Sequence, residues 1–449
     1  SLKWWIMIVT LGIYYITPWL RWDRGPGAPD QAVLIDMPGR RFYFFFIEIW
    51  PQEVYYLTGL LVMAGIGLFF ITSLVGRAWC GYACWQTVWT DLFVYVERFI
   101  EGDRAARIRL DKAPMTASKA TKRMAKYFVW LLISVGTGGA WVFYFADAPT
   151  LAIDLATLNA APIAYITIGV LTFTTFAAGG FMREQICIYM CPWPRIQGAM
   201  MDEESAVVTY RGSRGEPRGP HKKGTSREGR GDCVDCNQCI AACPTGIDIR
   251  NGQQLECITC ALCIDACDAV MAKVGRPEGL IAYASVAGEE RRARGESTGV
   301  RMARPRTLIY FSLWALVGLI MLAALLSRSD LDINVLRDRN PLFVALQDGR
   351  IQNGYTFKIL NKAQEGRTLV LSIEGLPGAR MKVVGTADVG DAATPFFTVK
   401  PDRLRSFRLF VSAPKTVVSS ASMDIRFVLT EQSTRIRAHY DTKFRGPEK

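Results

Sequence analysis

Five stretches of this chain stay apolar for about as long as a bilayer core is thick, and that limits the fold more than any other feature. A helix rises 1.5 Å per residue, so ~20 residues cross the hydrocarbon. Leu2 to Leu20, Val54 to Val75, Tyr127 to Ala146, Pro162 to Phe181 and Thr307 to Leu326 reach that length, and the last four carry no Lys, Arg, Asp or Glu before their ends. All five are read as spans. The first has the length of a signal peptide, but no small-residue cleavage site follows it, and Trp4, Trp5, Tyr14, Tyr15 and Trp19 read as interfacial anchors of a retained helix. Because Ser1 stands almost inside this helix, an upstream tail is expected. Gly136, Gly138 and Gly139 are read as allowing close helix packing.

The formal charge of +12 is best understood from its placement. Residues 76–126 hold ten Lys and Arg and residues 182–306 hold eighteen, against four in 21–53 and none in 147–161. Cationic loops stay on the cytoplasmic side, so both basic loops are expected inside and residues 327–449 outside; the basic excess then belongs to a membrane topology and not to nucleic-acid binding. A long folded domain is translocated largely regardless of its own charge, here twenty Lys and Arg.

That outer segment alternates like β-structure. Tyr355–Leu360, Thr368–Ile373, Met381–Val384, Phe396–Val399, Ser406–Val411, Met423–Leu429 and Ile436–Tyr440 make seven strands, the pattern of an immunoglobulin-like sandwich. A docking or stabilising module without chemistry is the plainer reading, since fold assigns no function.

The inner loop carries the strongest chemical signal. Cys233-x2-Cys236-x2-Cys239-x3-Cys243-Pro244 precedes Cys257-x2-Cys260-x2-Cys263-x3-Cys267, the spacing of a bacterial two-cluster ferredoxin. In that arrangement three thiolates of one loop clasp a cube and the fourth reaches the other cube. Cys233, Cys236, Cys239 and Cys267 are thus expected on one [4Fe–4S] cluster, and Cys257, Cys260, Cys263 and Cys243 on the second. Zinc needs only four ligands per site and leaves the repeated spacing unexplained, while disulfides are disfavoured on a reducing side of the membrane. Two adjacent clusters form a one-electron wire. With only His221 and His439 in the chain, imidazole chemistry is nearly excluded.

A second repeat follows the second and fourth spans. Arg77-Ala-Trp-Cys80-Gly-Tyr-Ala-Cys84-Trp85 and Arg183-Glu-Gln-Ile-Cys187-Ile-Tyr-Met-Cys191-Pro192-Trp193 share an Arg, a Cys-x3-Cys pair, a Tyr and a Trp. Cysteines four apart fall on one helix face, so the two pairs are expected to meet as a four-sulfur site at the inner membrane surface, with Met190 a further soft donor. Cu(I), zinc or an iron–sulfur centre suits such donors. Alternatively these are small apolar residues filling helix contacts.

The expected organisation is a multi-domain membrane protein. Membrane helices one to four with both Cys-x3-Cys motifs occupy 1–210, a basic flexible linker 211–231, the two-cluster ferredoxin domain 232–287, a linker 288–306, the fifth span 307–326 and a periplasmic immunoglobulin-like sandwich 327–449. The first linker is too polar to fold alone; it is read as solvated, with anionic lipid or RNA as lesser possibilities.

Trp50-Pro-Gln-Glu53, Gly76-Arg-Ala-Trp-Cys-Gly-Tyr-Ala-Cys84, Gln86-Thr-Val-Trp-Thr90, Glu101-Gly-Asp103, Cys243-Pro-Thr-Gly-Ile-Asp-Ile249, Gly275-Arg-Pro277, Arg339-Asn-Pro341 and Asn353-Gly-Tyr355, with the cluster run, resemble one family along nearly the whole chain. It is the membrane-bound polyferredoxin accessory proteins of cbb-type cytochrome c oxidase assembly, called CcoG, RdxA or FixG. The resemblance implies a multi-pass protein of the bacterial cytoplasmic membrane that binds two [4Fe–4S] clusters and reduces Cu(II) to Cu(I) for the oxidase. Cys80, Cys84, Cys187 and Cys191 would form the copper or other metal centre. An unidentified cytoplasmic electron donor, copper chaperones and oxidase subunits or assembly factors would be its partners. One departure is that Trp85 replaces the Pro expected after Cys84, while Pro192 keeps the one after Cys191. Two other classes of function remain: an electron-relay or quinol-oxidising subunit of a respiratory complex, and a copper chaperone or scaffold without turnover.

Overall fold

The structure, a computed structural model, describes residues 2–25, 28–220, 229–296, 301–363, 365–384, 393–432 and 436–447. It divides into two bodies, residues 1–22 with 31–322, and residues 23–30 with 323–449.

The first body begins with α1 (Leu2–Ile16) and a small antiparallel sheet, β1 (Val33–Asp36), β2 (Arg41–Phe44) and β3 (Ile47–Ile49). Then come α2 (Tyr55–Val75), α3 (Trp85–Glu101), α4 (Arg104–Lys112), α5 (Ala117–Val142), α6 (Ala148–Ala156), α7 (Pro162–Thr175) and α8 (Trp193–Met200). Three helices, over Pro51–Val75, Pro162–Met182 and Pro305–Leu326, are long and apolar enough to cross a membrane. The other two expected spans differ in kind. Helix α1 has 15 residues, about 22 Å of rise, and α5 has 26 but opens on Lys119, Lys122, Arg123 and Lys126. Tyr14 and Tyr15 are not interfacial anchors: Tyr14 is buried and donates to the Thr137 carbonyl at 2.8 Å, and Tyr15 shares a hydrogen bond with the Thr137 hydroxyl at 2.9 Å. A hydroxyl that finds a partner inside the bundle need not reach the headgroups. Of the three glycines expected to bring helices together only Gly138 does, since a Cβ there would lie 2.9 Å from the Ile168 carbonyl while Gly136 and Gly139 face open space.

The ferredoxin module starts earlier than its cysteines suggest. β4 (Val207–Tyr210) pairs antiparallel with β5 (Ile281–Ala284), enclosing α9 (Gly212–Gly215), α10 (Gln238–Ala242) and α11 (Leu262–Lys273) between them in sequence. Residues 211–220, expected as free linker, fold onto the module: Arg214 pairs with Asp232 at 2.6 Å and the Gly219 amide donates to the Cys233 carbonyl. Residues 221–228, the centre of that linker, lie outside the described residues. The second linker likewise begins as helix, α12 (Val286–Ala293), whose Arg291 bonds Glu204 at 2.9 Å before the chain enters α13 (Pro305–Leu326).

The second body is all β. Its strands are β6 (Leu331–Arg337), β7 (Val344–Ala345), β8 (Arg350–Asn361), β9 (Arg367–Glu374), β10 (Arg380–Val384), β11 (Phe396–Val399), β12 (Arg403–Pro414), β13 (Ser422–Glu431) and β14 (Arg437–Arg445). They form one sheet in the order β10-β12-β8-β6, with β7 also on β8, and another in the order β11-β9-β13-β14. Period-two burial puts Tyr355, Phe357 and Ile359 of β8 and Leu369, Leu371, Phe427 and Leu429 of the other sheet into one core. All seven expected strands are present, and β6 and β7 join them.

Candidate metal-binding centre

The two Cys-x2-Cys-x2-Cys runs fold as the same loop twice. In the first, Asp235 and Asn237 flank Cys236 with φ of +53° and +55°; in the second, Thr259 and Ala261 flank Cys260 with φ of +56° and +62°. A left-handed residue other than Gly costs ~1–2 kcal/mol, and such strain recurs where a site demands it. The turns wrap each loop around a hollow. One is lined by Cys233, Cys236, Cys239 and Cys267. The other is lined by Cys243, Cys257, Cys260 and Cys263, and Cys239 lines it as well. The exchange of fourth cysteines follows from the helices: α10 ends at Cys243 and α11 carries Cys267, each a short helix beyond its own loop.

Arg250 braces the first hollow, donating to Asp248 at 2.7 and 2.8 Å, to Asp235 at 2.6 Å and to Asn237 at 2.7 Å. Burial pushes the Cys267 thiol up to about 12, with neighbouring Cys239 adding to it, and Cys260 up to about 11. Apolar walls that disfavour bare thiolates, with four cysteines lining each hollow, fit a group bringing its own cationic iron.

The membrane-proximal motifs are also a structural duplication. Helix α2 ends at Gly76 with φ +56°, ψ −128°; a π-helical turn spans Trp79–Ala83, and Cys84 is extended with ψ 134° before α3 begins. After α7 the chain breaks at Arg183 with φ +43°, ψ −120°; a π-turn spans Ile186–Met190, and Cys191 is extended with ψ 121° before α8. The cysteines therefore flank one wide turn and do not share a regular helix face. The extended residue after the turn explains why. Gly76, not Arg77, is the counterpart of Arg183, each four residues before the first Cys of its pair. The lost Pro changes little: Cys84 keeps the extended conformation, and Trp85 packs edge-on against Tyr14 at 5.7 Å and beside Trp89 at 5.6 Å.

Cys84, Cys187 and Cys191 all bear electrostatically on the Cys80 thiol. Burial pushes the Cys80 thiol up to about 12, with Cys84 next in effect and Cys187 and Cys191 contributing. Cys187 rises to about 11, again by burial first and Cys84 second. Met190 is 64% exposed and does not join them. Among the described residues no three Cys, His, Asp or Glu side chains converge tightly enough to hold a single ion, in the hollows or at this site. Tetrahedral thiolates at ~2.3 Å from one metal must crowd together, whereas the corners of a cube keep them further apart.

Sequence reasoning missed the dock between these two regions. Arg77, 2% exposed, donates to the carbonyls of Leu255 and Cys257 in the second ferredoxin loop and to that of Pro194 beyond the second motif. Gly81 sits where a Cβ would lie 2.7 Å from the Ile258 carbonyl and 2.8 Å from that of Thr259. Tyr82 shares a hydrogen bond with Tyr283 at 2.9 Å, and Tyr283 donates to Thr259 at 2.8 Å. The Cys80 thiol donates to Gln197 at 3.1 Å. Also missed was an ionic clamp behind the second motif: Glu97 meets Arg107, Arg183 at 3.1 Å and Lys126 at 3.4 Å, and Glu101 meets Lys126 at 3.0 Å. Isolated charges in amphipathic helices gave no sign of their common partner.

Comparison with known proteins gives this geometry a context. Nitrogen fixation protein FixG of Rhizobium meliloti is 54% identical over 473 aligned residues, covering 99% of this chain and 90% of that protein. The chain belongs to the FixG and Rdx family. Protein RdxB of Cereibacter sphaeroides is 55% identical, covering 99% of this chain and 94% of its own, and protein RdxA of the same organism is 55% identical, covering 96% and 90%. A 4Fe-4S binding domain model matches residues 57–101, a 4Fe-4S dicluster domain model matches 182–286, and the model of the IG-like fold at the C-terminus of FixG, whose description offers oxidoreductase as the activity, matches 321–447. The chain is an iron–sulfur electron-transfer protein of the FixG type, with helices able to cross a membrane and an immunoglobulin-like C-terminal body.

Proposed function

We propose that this chain accepts electrons from a cytoplasmic donor and passes them singly to Cu(II) near Cys80, Cys84, Cys187 and Cys191, releasing Cu(I) for assembly of a cbb-type haem-copper oxidase. The observation that carries this reading is the dock at Arg77 and Gly81, which seats the four-cysteine site against the Cys257–Cys260 loop. Cys233, Cys236, Cys239 and Cys267 would hold one [4Fe–4S] cluster and Cys243, Cys257, Cys260 and Cys263 the other. Such clusters, when bound, supply reversible one-electron transfer. Arg77 fixes the distance between the two cysteine sets, and Gln197 holds the Cys80 thiol proton until metal displaces it. Each Cu(II) takes one electron. Soft thiolates favour the Cu(I) that results.

In the membrane, Leu2–Leu20 and Tyr127–Ala146 complete five spans, the basic loops face the cytoplasm and residues 327–449 face the periplasm, as the Lys and Arg imbalance suggests. The sandwich there would meet oxidase subunits, assembly factors or copper chaperones. A second reading has an observation of its own. The 4Fe-4S models that match residues 57–101 and 182–286, and so take in both Cys-x3-Cys motifs, favour a further iron–sulfur centre at that site, with copper reduced at its edge.

The test uses anaerobic, dithionite-reduced protein, freed of excess reductant and mixed with Cu(II) and a colorimetric Cu(I) chelator. Cys187→Ser with Cys191→Ser should abolish Cu(I) formation and leave eight ferredoxin-bound irons. Equal rates in wild type and variant would refute the role of the four cysteines.

A further inference from the structure

A crevice of about 450 Å³ opens beside the second ferredoxin hollow, and Cys243 lines both. Cys243, Pro244 and Leu262 line it, so whatever occupies the crevice lies against a residue whose thiol is assigned above to the second cluster.

Lys3, Arg98, Arg104, Arg107 and Arg183 line the same crevice, with Asp91 and Glu184 the acidic groups among them. Lys3 is paired with Asp91 at 2.8 Å, and Arg107 and Arg183 are committed to Glu97. Among the described residues the Arg98 and Arg104 guanidinium groups make no ion pair or side-chain hydrogen bond, although the Arg98 charge also acts on Asp91. Trp4 and Tyr95 also line it; they meet edge to face at 5.1 Å and are 42% and 50% exposed.

These features select a chemistry. Free guanidinium groups recognise phosphate through paired N–H donors. Exposed indole and phenol rings offer faces to a planar ring system. A volume within the usual range for small-molecule sites suits a mononucleotide. Contact with a one-electron acceptor demands a carrier that releases electrons one at a time, which a flavin does and a nicotinamide, giving up a hydride, does not.

We propose that this crevice binds reduced flavin mononucleotide, its phosphate on Arg98 and Arg104 and its ring toward Cys243 and Pro244, as the source of electrons. The inference rests on the proposed function for its acceptor. One reduced flavin gives two electrons and two protons and becomes oxidised flavin; the electrons serve two one-electron reductions, finally of two Cu(II), and the protons leave to solvent through the open side.

The test is quenching of flavin mononucleotide fluorescence by the full-length protein in detergent. Arg98→Gln with Arg104→Gln should weaken binding on the order of tenfold or more, while Arg98→Lys with Arg104→Lys keeps part of it. Riboflavin, which lacks the phosphate, should bind the wild type as weakly as the Gln variant binds the nucleotide, and inorganic phosphate should compete. Equal affinity for the two flavins, or no effect of the Gln variant, overturns the proposal. So does displacement of the nucleotide by phosphatidylglycerol in nanodiscs with no recovery in phosphatidylcholine, which would make the crevice a lipid-headgroup site. Binding is read from the flavin alone, so an iron content of zero would refute the proposed function without deciding this inference.

Discussion

Replacing Arg77 by Gln should detach the second ferredoxin loop from the four-cysteine site without unfolding either. Arg77 is 2% exposed and supplies three carbonyls, those of Leu255, Cys257 and Pro194. A glutamine side chain is shorter by the guanidinium reach and can satisfy one carbonyl at most. Each of the two acceptors left unpaired costs ~1–3 kcal/mol, so the contact should weaken by ~2–6 kcal/mol. At ~1.4 kcal/mol per factor of ten, amides in residues 255–262 should exchange ~10 to 10⁴ times faster. Hydrogen exchange read by mass spectrometry reports this directly. Strands β8 and β12 of the second body serve as internal reference and should be unchanged. Unaltered protection in residues 255–262 would show that the Arg77 bonds do not hold the dock, and the reasoning would fail.

Gly81→Ala acts on the same contact by crowding: a Cβ 2.7 Å from the Ile258 carbonyl meets backbone that must move, so Cu(I) formation should slow at least ~10-fold with iron content intact. Unchanged rates would disprove close approach as the requirement. Lys126→Met leaves Glu97 to Arg107 and Arg183 and Glu101 to Arg123, and should destabilise the protein by ~1–3 kcal/mol, seen as a lower melting temperature. A melting temperature equal to wild type would mean that Arg107, Arg123 and Arg183 suffice. Cys267→Ser should perturb the cluster assigned to the first loop and spare the second, because Cys267 lines only the first hollow. Loss of the second electron paramagnetic resonance signal would contradict crossed ligation.

Much of the site could be read in the sequence because spacing there is chemistry: x2-x2-x3 fixes which thiols share a loop. The crossed lining of the hollows follows from Cys243 and Cys267, each one helical turn beyond the third cysteine of its own run. What escaped had no local signature. Strand β6 alternates plainly over Leu331, Ile333 and Val335, but it follows directly on an apolar helix whose signal overshadows it. The true pairing of the membrane motifs, Gly76 with Arg183, is invisible to residue matching. It is a shared left-handed backbone, which Gly adopts freely and which Arg183 adopts while bonding Gly180 and Glu97. Tyr14 and Tyr15 looked like anchors by position, and only the Thr137 groups across the bundle explain them. The Arg77 dock joins residues 117 to 180 apart in sequence, a contact no periodicity encodes.

The central claim is that electrons leave the ferredoxin module through Cys80, Cys84, Cys187 and Cys191 rather than through the exposed Cys236 edge. Stopped-flow absorbance of anaerobic, pre-reduced protein mixed with Cu(II) tests it most directly. The wild type should re-oxidise rapidly with one Cu(I) formed per electron lost, and a variant with all four cysteines changed to Ser should stay reduced on the same timescale. Re-oxidation of that variant at the wild-type rate would place copper reduction at the ferredoxin surface and contradict the account.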